Sequence, residues 1–392
     1  MLWVTLTVVL SGCLSESASF QRTGGLARIA VAAPFSGDSY LTGYRVLFAA
    51  RLAVREWNEQ GGVVGRRIEL IALDDESREQ TARLQARAFT LDRDLIGVIG
   101  HPSPASASAA APVYSAAGLP ALLLGPIDSP PGNGPALGLS PSLESLGRSV
   151  ATLASGMTAP APKRLALLWS VNDPRERQAP IALSLMRRQL EEAGLAVALQ
   201  RGISNRADEA VAAAGEMSGL SIDLVVFLGD ADEAAALSRA LGTLPKPPKL
   251  LLAPWTVEPR FLQLAGGSAE TVFYLGTAPD PADFAPTSDF YTAYRNLALA
   301  AALELEPGPE GLLAYVAANL LLQAAHDAWQ ANPRHNREEI AAALRRPEGF
   351  ATLLGVLAFD DQARRSPLPL YLFQITRLRY GGPPLTVATV VP

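Results

Sequence analysis

The chain's 392 residues are 49% hydrophobic and 18% charged, with a formal net charge of −5. The length suits two domains, each with its own core, and the composition excludes a disordered chain. The acidic balance, without a run of Lys or Arg, speaks against a nucleic-acid partner, and a single cysteine, Cys13, excludes an internal disulfide and a cysteine-built zinc site.

The N-terminus reads MLWVTLTVVLSGC. Leu2 to Leu10 form an uncharged apolar run, shorter than the roughly 20 residues a bilayer span takes, so a secretion signal over 1–12 is predicted. A polar, Gly/Ser-rich linker follows over 13–27. The tetrad Leu10, Ser11, Gly12, Cys13 resembles the lipobox of bacterial lipoproteins, which implies acylation of Cys13 as the first residue of the mature chain. Lipid on that cysteine would hold the protein to a membrane surface outside the cytoplasm, at about 0.8 kcal/mol per buried CH2. No Lys or Arg precedes the apolar run, so the native start is expected further upstream.

From Arg28 onward, short β-rich runs alternate with helical patterns, the signature of parallel sheets built from strand–helix–strand units. ARIAVAAP predicts a strand, Gly43 to Gln60 a helix, RIELIAL a strand, Glu79 to Thr90 a helix, LIGVIG a strand, Ala105 to Ala117 a helix and ALLLG a strand. The Pro/Gly-rich break GPIDSPPGNGP follows. After a helix over Ser142 to Gly156 the alternation resumes with KRLALLW, the helix Ile181 to Ala193, AVALQ and the helix Ala207 to Met217. It continues with DLVVFLG, the helix Glu233 to Leu241, and the strands KLLLA and TVFYLG. The tail holds helices over Asp289 to Glu304, Gly311 to Gln330 and Arg337 to Leu344, then strands in GVLAFD and LPLYLFQITRL.

Tail helices with so little sheet of their own must cover another sheet, so they are expected to pack back on the first lobe while the last strand returns to the second. The expected lobes are 28–140 plus 280–358 and 141–279 plus 359–385. Crossings would fall near Leu139 to Ser142, Thr277 to Asp283 and Phe359 to Arg365, and several crossings make a hinge over a cleft.

The stretch RIAVAAPFSGDSYLTGYRVLFAARLAVREWNEQGGVVGRRIELIALDDE, followed by LIGVIGH, resembles the leucine/isoleucine/valine-binding family of bacterial ABC-transporter substrate-binding proteins. The carrying features are the P-x-S-G after the first strand, the helix end REWNEQGGVVGRRIEL, the Asp74-Asp75 pair and the Gly100-His101 step. The resemblance covers roughly Arg28 to Thr376. It implies an α/β fold of two Rossmann-like lobes with parallel sheets joined by a three-crossing hinge, the type I periplasmic-binding fold. It also implies capture of a small polar or amino-acid-like solute for an ABC permease and its ATPase.

Ligands of open parallel sheets bind beyond the carboxyl ends of strands. Ser36, Asp74, His101, Gly125, Asn172, Asp230 and Trp255 fall at such ends. Ser103 reads as an N-cap and Pro104 as the first helical residue, which leaves the amides of Ala105 and Ser106 free to meet a solute oxygen. In the family's amino-acid binders a serine and a threonine hold the ligand carboxylate, a second-lobe glutamate holds the ammonium, and aromatic residues flank them. Carried over, the serine falls on Pro104, the threonine on or near Ile127 and the glutamate on or near Trp255, with Thr42, Pro174 and Asp230 at the aromatic sites, so none of the expected residues is present. Charge-assisted hydrogen bonds contribute roughly 1.5 to 3 kcal/mol each, and losing two or three weakens a free amino acid on the order of a thousandfold. A standard leucine binder is therefore not expected. A solute with an oxygen at one end and an apolar or cationic body at the other would suit backbone donors opposite Trp255, Asp173, Asp230 and Asp232.

No HExxH, P-loop, G-x-G-x-x-G or G-x-S-x-G motif occurs, and the adjacent carboxylates of Asp74 and Asp75 point to opposite faces, so neither a cofactor nor catalysis is expected. A ligand sensor or a protein-binding envelope lipoprotein of the same fold is the alternative, since fold alone does not fix output.

Overall fold

The computed structural model describes residues 25–127, 134–154, 157, 163–171, 179–204, 206–332 and 337–390. The N-terminal apolar run, Cys13, Asn172 and Asp173 lie outside the described residues.

The first sheet is parallel, in the order β2-β1-β3-β4-β5. Its strands are β1 (Leu26–Ala33), β2 (Arg67–Asp74), β3 (Leu95–Gly100), β4 (Ala121–Leu123) and β5 (Ala136–Gly138). Between them run α1 (Tyr40–Glu59), α2 (Glu79–Leu91) and α3 (Pro104–Ala116). Side chains on β1 alternate between two cores, as a strand's period of two requires. Ile29 and Val31 join one cluster with Leu52 of α1, while Ala30 and Ala32 join another with Phe89 of α2 and Tyr114 of α3.

The second lobe runs through α4 (Leu143–Ala154), β6 (Arg164–Ser170), α5 (Ala179–Glu192), β7 (Ala196–Ile203) and α6 (Ala207–Gly219). It continues with β8 (Leu224–Leu228), α7 (Ala231–Gly242), β9 (Lys249–Leu252), α8 (Pro259–Ala265) and β10 (Phe273–Gly276). Val225 and Phe227 of β8 pack with Met217 and Leu237, while Leu224, Val226 and Leu228 pack with Leu146 and Met186. Burial on both faces explains why LVVFL reads as a continuous apolar run.

The tail comprises α9 (Ser288–Ala300), α10 (Gly308–Ala331), α11 (Arg337–Leu344), β11 (Phe350–Thr352), β12 (Gly355–Phe359), β13 (Arg365–Ser366), β14 (Leu368–Gln374) and β15 (Thr386–Val390). Helices α9 to α11 bury Phe290, Leu321, Trp329 and Leu344 in the same cluster as Ile29 and Leu52, so they cover the first sheet. Strand β14 returns to the second sheet, antiparallel to β10, and β15 extends it as an edge strand, giving β15-β14-β10-β9-β8-β6-β7. Sequence reading had not anticipated β5, α8, β11, β13 or β15. No helix among the described residues is long and apolar enough to cross a membrane; α10, the longest, faces the core.

The chain passes between the sheets three times, after β5, after β10 and after β13. These passages are bonded side by side. The Gly138 amide donates to the Ala363 carbonyl at 2.8 Å, and the Arg365 guanidinium donates to the Thr277 carbonyl at 3.1 Å. Arg365 is buried, which pulls its pKa down to about 10. Nearer the cleft, Arg260 of α8 pairs with Asp232 and reaches across to Asp38, at 3.0 Å, just before α1.

Candidate functional site

At the end of β3, Gly100 adopts φ +152°, and a Cβ there would sit 2.1 Å from the Ala32 carbonyl oxygen, so only glycine fits. The next residue, His101, carries φ +50° and turns inward. Its Nδ1 lies 2.8 Å from Asp75 Oδ2 and its Nε2 lies 2.8 Å from the Tyr114 hydroxyl, with all three residues fully buried. His101, expected at the cleft, is thus a core residue that anchors the loop before α3. The loop it releases carries Pro102, Ser103, Pro104 and Ala105 to the cleft wall. Ser103 is the N-cap, its hydroxyl accepting from the Ser106 amide at 3.4 Å, and Pro104 opens the helix.

Small residues here serve two purposes. A Cβ on Gly125 would lie 2.8 Å from each of three carbonyl oxygens, those of His101, Pro102 and Ser103, so Gly125 lets the loop close on β4 instead of touching a solute. Ser103 and Ala105, by contrast, leave open space in front of the helix terminus.

That space is an interlobe cavity of about 180 Å³. The first lobe contributes Ser39 and Thr42 from around the start of α1, together with the Pro102–Ala105 loop. The second contributes Asp230, Trp255, Glu258 and Tyr274, and α10 contributes Glu310 and Leu313. Of the residues expected from sequence, Thr42, Ser103, Ala105, Asp230 and Trp255 line it together. Ser36, His101, Ser106, Gly125 and Ile127 do not. Ser36 is exposed beside Asp74; Ser106 is fully buried beneath the first turn of α3; Ile127 is buried against Gly138.

The Asp74-Asp75 pair splits as its alternation requires. Asp75 turns inward to His101, while Asp74 accepts from the amides of Phe35 and Glu76. Burial pushes the Asp74 carboxyl up, but bonds from Ser36, Phe35 and Glu76 outweigh it and hold the group below the usual range.

Sequence reading missed the carboxylates of Glu258 and Glu310. Glu258 follows Trp255 by three residues, and its Oε2 accepts from the Ser39 hydroxyl across the cleft at 3.2 Å. Burial, reinforced by the charges of Asp230 and Glu310, pushes its pKa up to about 7 against the opposing Ser39 bond. Glu310, also raised by burial, faces Arg45 at 3.5 Å. A Glu three residues beyond a strand-end Trp was a usable signal; Glu310 had none, because the expected return of the tail helix to the first lobe does not say which of its residues meets the cleft. Among the described residues no cluster of His, Cys, Asp and Glu could hold a metal ion.

Comparison with known proteins agrees with this architecture. A family model described as periplasmic binding protein matches residues 27–381. A Leu/Ile/Val-binding protein homolog 1 of Brucella abortus (strain 2308) is 24% identical over 342 residues, covering 85% of this chain and 86% of the relative. The Streptococcus pneumoniae branched-chain amino acid transporter substrate binding protein, solved with isoleucine, superposes with a TM-score of 0.75 at 19% identity, over 94% of this chain and 100% of that one. A solute binding protein of an R. palustris ABC transporter, solved with 4-hydroxybenzoate, gives 0.72 at 16% identity, over 90% and 93% of the two chains. Two parallel-sheet lobes around a cleft, and a family match spanning nearly the whole chain, establish that the protein belongs to the periplasmic binding protein family.

Proposed function

We propose that the protein is the extracytoplasmic solute receptor of an ABC importer, anchored through Cys13, and that it captures a small solute between its lobes by binding and release instead of catalysis. The carrying observation is the interlobe cavity, whose walls come from both lobes and whose lining includes Ser140, Pro141 and Thr277 of the first two crossings. Relatives and structural neighbours named as transporter binding proteins support the import role, with a permease and an ATPase as partners.

The solute is not a free branched-chain amino acid held in the ordinary way. Proline stands at position 104, where the family's serine hydroxyl would be, and Ile127 is buried away from the cavity. Trp255 lines the wall where the family's glutamate would stand. The cavity favours a solute that offers an oxygen to the α3 terminus and an apolar or cationic body to Trp255.

Thermal melting of the full-length protein against branched-chain amino acids, short amides, ureas, polyamines and aromatic acids tests this reading. A solute bound by the folded state raises stability by RT ln(1 + [L]/Kd). A shift with amides or cations but not leucine is expected; silence across the panel would favour a protein-binding lipoprotein.

A further inference from the structure

We infer that the loop over 375–385, between β14 and β15, is an interlobe strap. Its Gly381-Gly382 pair clasps the first lobe while Tyr380 backs a ring of the cavity, so the loop favours lobe closure independently of a solute.

Both ends of the loop are fixed on the second lobe. The amides of Arg377 and Leu378 donate to the Glu270 carboxylate at 3.0 and 2.7 Å, and the Tyr380 hydroxyl donates to the Glu258 carbonyl at 2.8 Å. Beyond the glycines, the Leu385 amide rejoins the sheet on the Leu372 carbonyl. Between these anchors Gly381 and Gly382 adopt φ +105° and +91°, a region that residues with a side chain rarely enter. The Gly381 amide donates to the Tyr274 hydroxyl at 2.7 Å, and the Gly382 amide donates to Asp283 Oδ2 at 2.9 Å.

Asp283 belongs to the other lobe. After the second crossing, Ala278 is already buried in the first-lobe core with Phe290 of α9. Thr287, at the start of α9, donates through its hydroxyl to the Pro281 carbonyl at 2.9 Å, which ties the segment around Asp283 to that helix. The Gly382–Asp283 bond therefore joins the lobes. Asp280 lies against the same pair, and a Cβ on Gly381 would collide with its carboxylate. Burial, reinforced by the charge of Asp283, pushes the Asp280 carboxyl up against bonds from the Ala282 and Gly382 amides. Two like-charged side chains thus meet a strap that offers them amides and no side chain of its own.

The strap also reaches the solute cavity. The Tyr380 ring packs edge-on against Tyr274, with centroids 5.3 Å apart, and Tyr274 lines the cavity. Adjacent amides hold Asp283 and the Tyr274 hydroxyl, so closure of the lobes and placement of that ring are linked. A Cβ on Gly382 would meet nothing within 4 Å, so the backbone there has room to leave Asp283 while both ends of the loop stay on the second lobe.

Pulsed electron spin resonance tests the inference in the full-length Cys13→Ser protein without solute. Spin labels go on Arg78→Cys and Arg206→Cys, exposed positions just beyond the cleft ends of β2 and β7. Asp283→Ala should raise the ratio of open to closed lobes about tenfold, as expected for one lost charge-assisted hydrogen bond, and Gly381→Ala at least as much. Asp283→Asn keeps an oxygen for the Gly382 amide and should stay near the wild type. Tyr274→Phe removes the acceptor of Gly381 but keeps the ring, and should open the lobes about threefold. The melting temperature of Asp283→Ala should stay close to that of the wild type, because the bond joins lobes and not a core. A wild type already open, unchanged distances in Asp283→Ala and Gly381→Ala, or a lowered melting temperature without a change in distance would overturn the inference. Since no solute takes part, each of those outcomes leaves the solute-site reading standing.

Discussion

The two walls of the cleft are built on different principles. The first-lobe wall is a capped helix end whose side chains are small: Ser103, Pro104 and Ala105 present backbone and little else. The second-lobe wall is bulky and acidic, with Trp255, Tyr274, Asp230 and Glu258. One wall fixes where a solute's polar end lies; the other decides what kind of body it has. The difference teaches that specificity in this chain can change on the second wall while the first, tied to the core through His101, stays as it is.

The largest expected effect breaks that tie. His101→Ala leaves Asp75 Oδ2 and the Tyr114 hydroxyl buried without their ring partner, the Ser77 amide alone remaining on Asp75 Oδ1, so stability should fall by about 3 kcal/mol in urea denaturation. A loss below about 1 kcal/mol would show that the first wall does not depend on this network.

The second wall responds to pH. Glu258 has a folded pKa of about 7, above its unfolded value, so its contribution is fully present below about pH 4.5 and is lost as pH rises through 7. Allowing for its partial exposure, the wild type should lose on the order of 2 kcal/mol more between pH 5 and pH 8 than Glu258→Gln does. Parallel stability curves for the two proteins would contradict this.

Trp255→Ala should weaken solute binding about tenfold through loss of the ring face, with a smaller loss of stability, since the side chain is partly buried at the cavity edge of the second-lobe core. Equal loss of affinity and stability would make Trp255 a core residue instead. The smallest effect is at the mouth. Arg260→Ala removes a partly exposed interlobe pair worth about 0.2–1 kcal/mol, so the lobes should separate slightly in small-angle scattering without solute, and raised salt should mimic the change.

The first lobe was the more legible half. Its strands and helices follow hydrophobic period and end on local signals, and the Ser103-Pro104 cap could be read directly because capping is a property of neighbouring residues. His101 was misplaced because its sequence position, at a strand end, does not reveal that φ +50° turns its ring inward to Asp75 and Tyr114. Gly125 and Ile127 sit at the right level of the sheet, yet close packing on the neighbouring loop and on Gly138 takes them out of the cavity. Glu310 illustrates a deeper limit: the return of the tail helices to the first lobe was expected, but not the register that sets Glu310 against Arg45 of α1, some 265 positions away. Three-residue β5 and the edge strand β15 were too short, or too far into the tail, for periodicity to separate them from loop.

Calorimetric titration of free leucine into the wild-type protein tests the account's central claim most directly. The predicted result is no saturable heat at millimolar leucine, because the family's carboxylate and ammonium contacts are missing from positions 104, 127 and 255. Tight leucine binding that is abolished by Ser103→Ala or Ser106→Ala and indifferent to Trp255→Ala would contradict it.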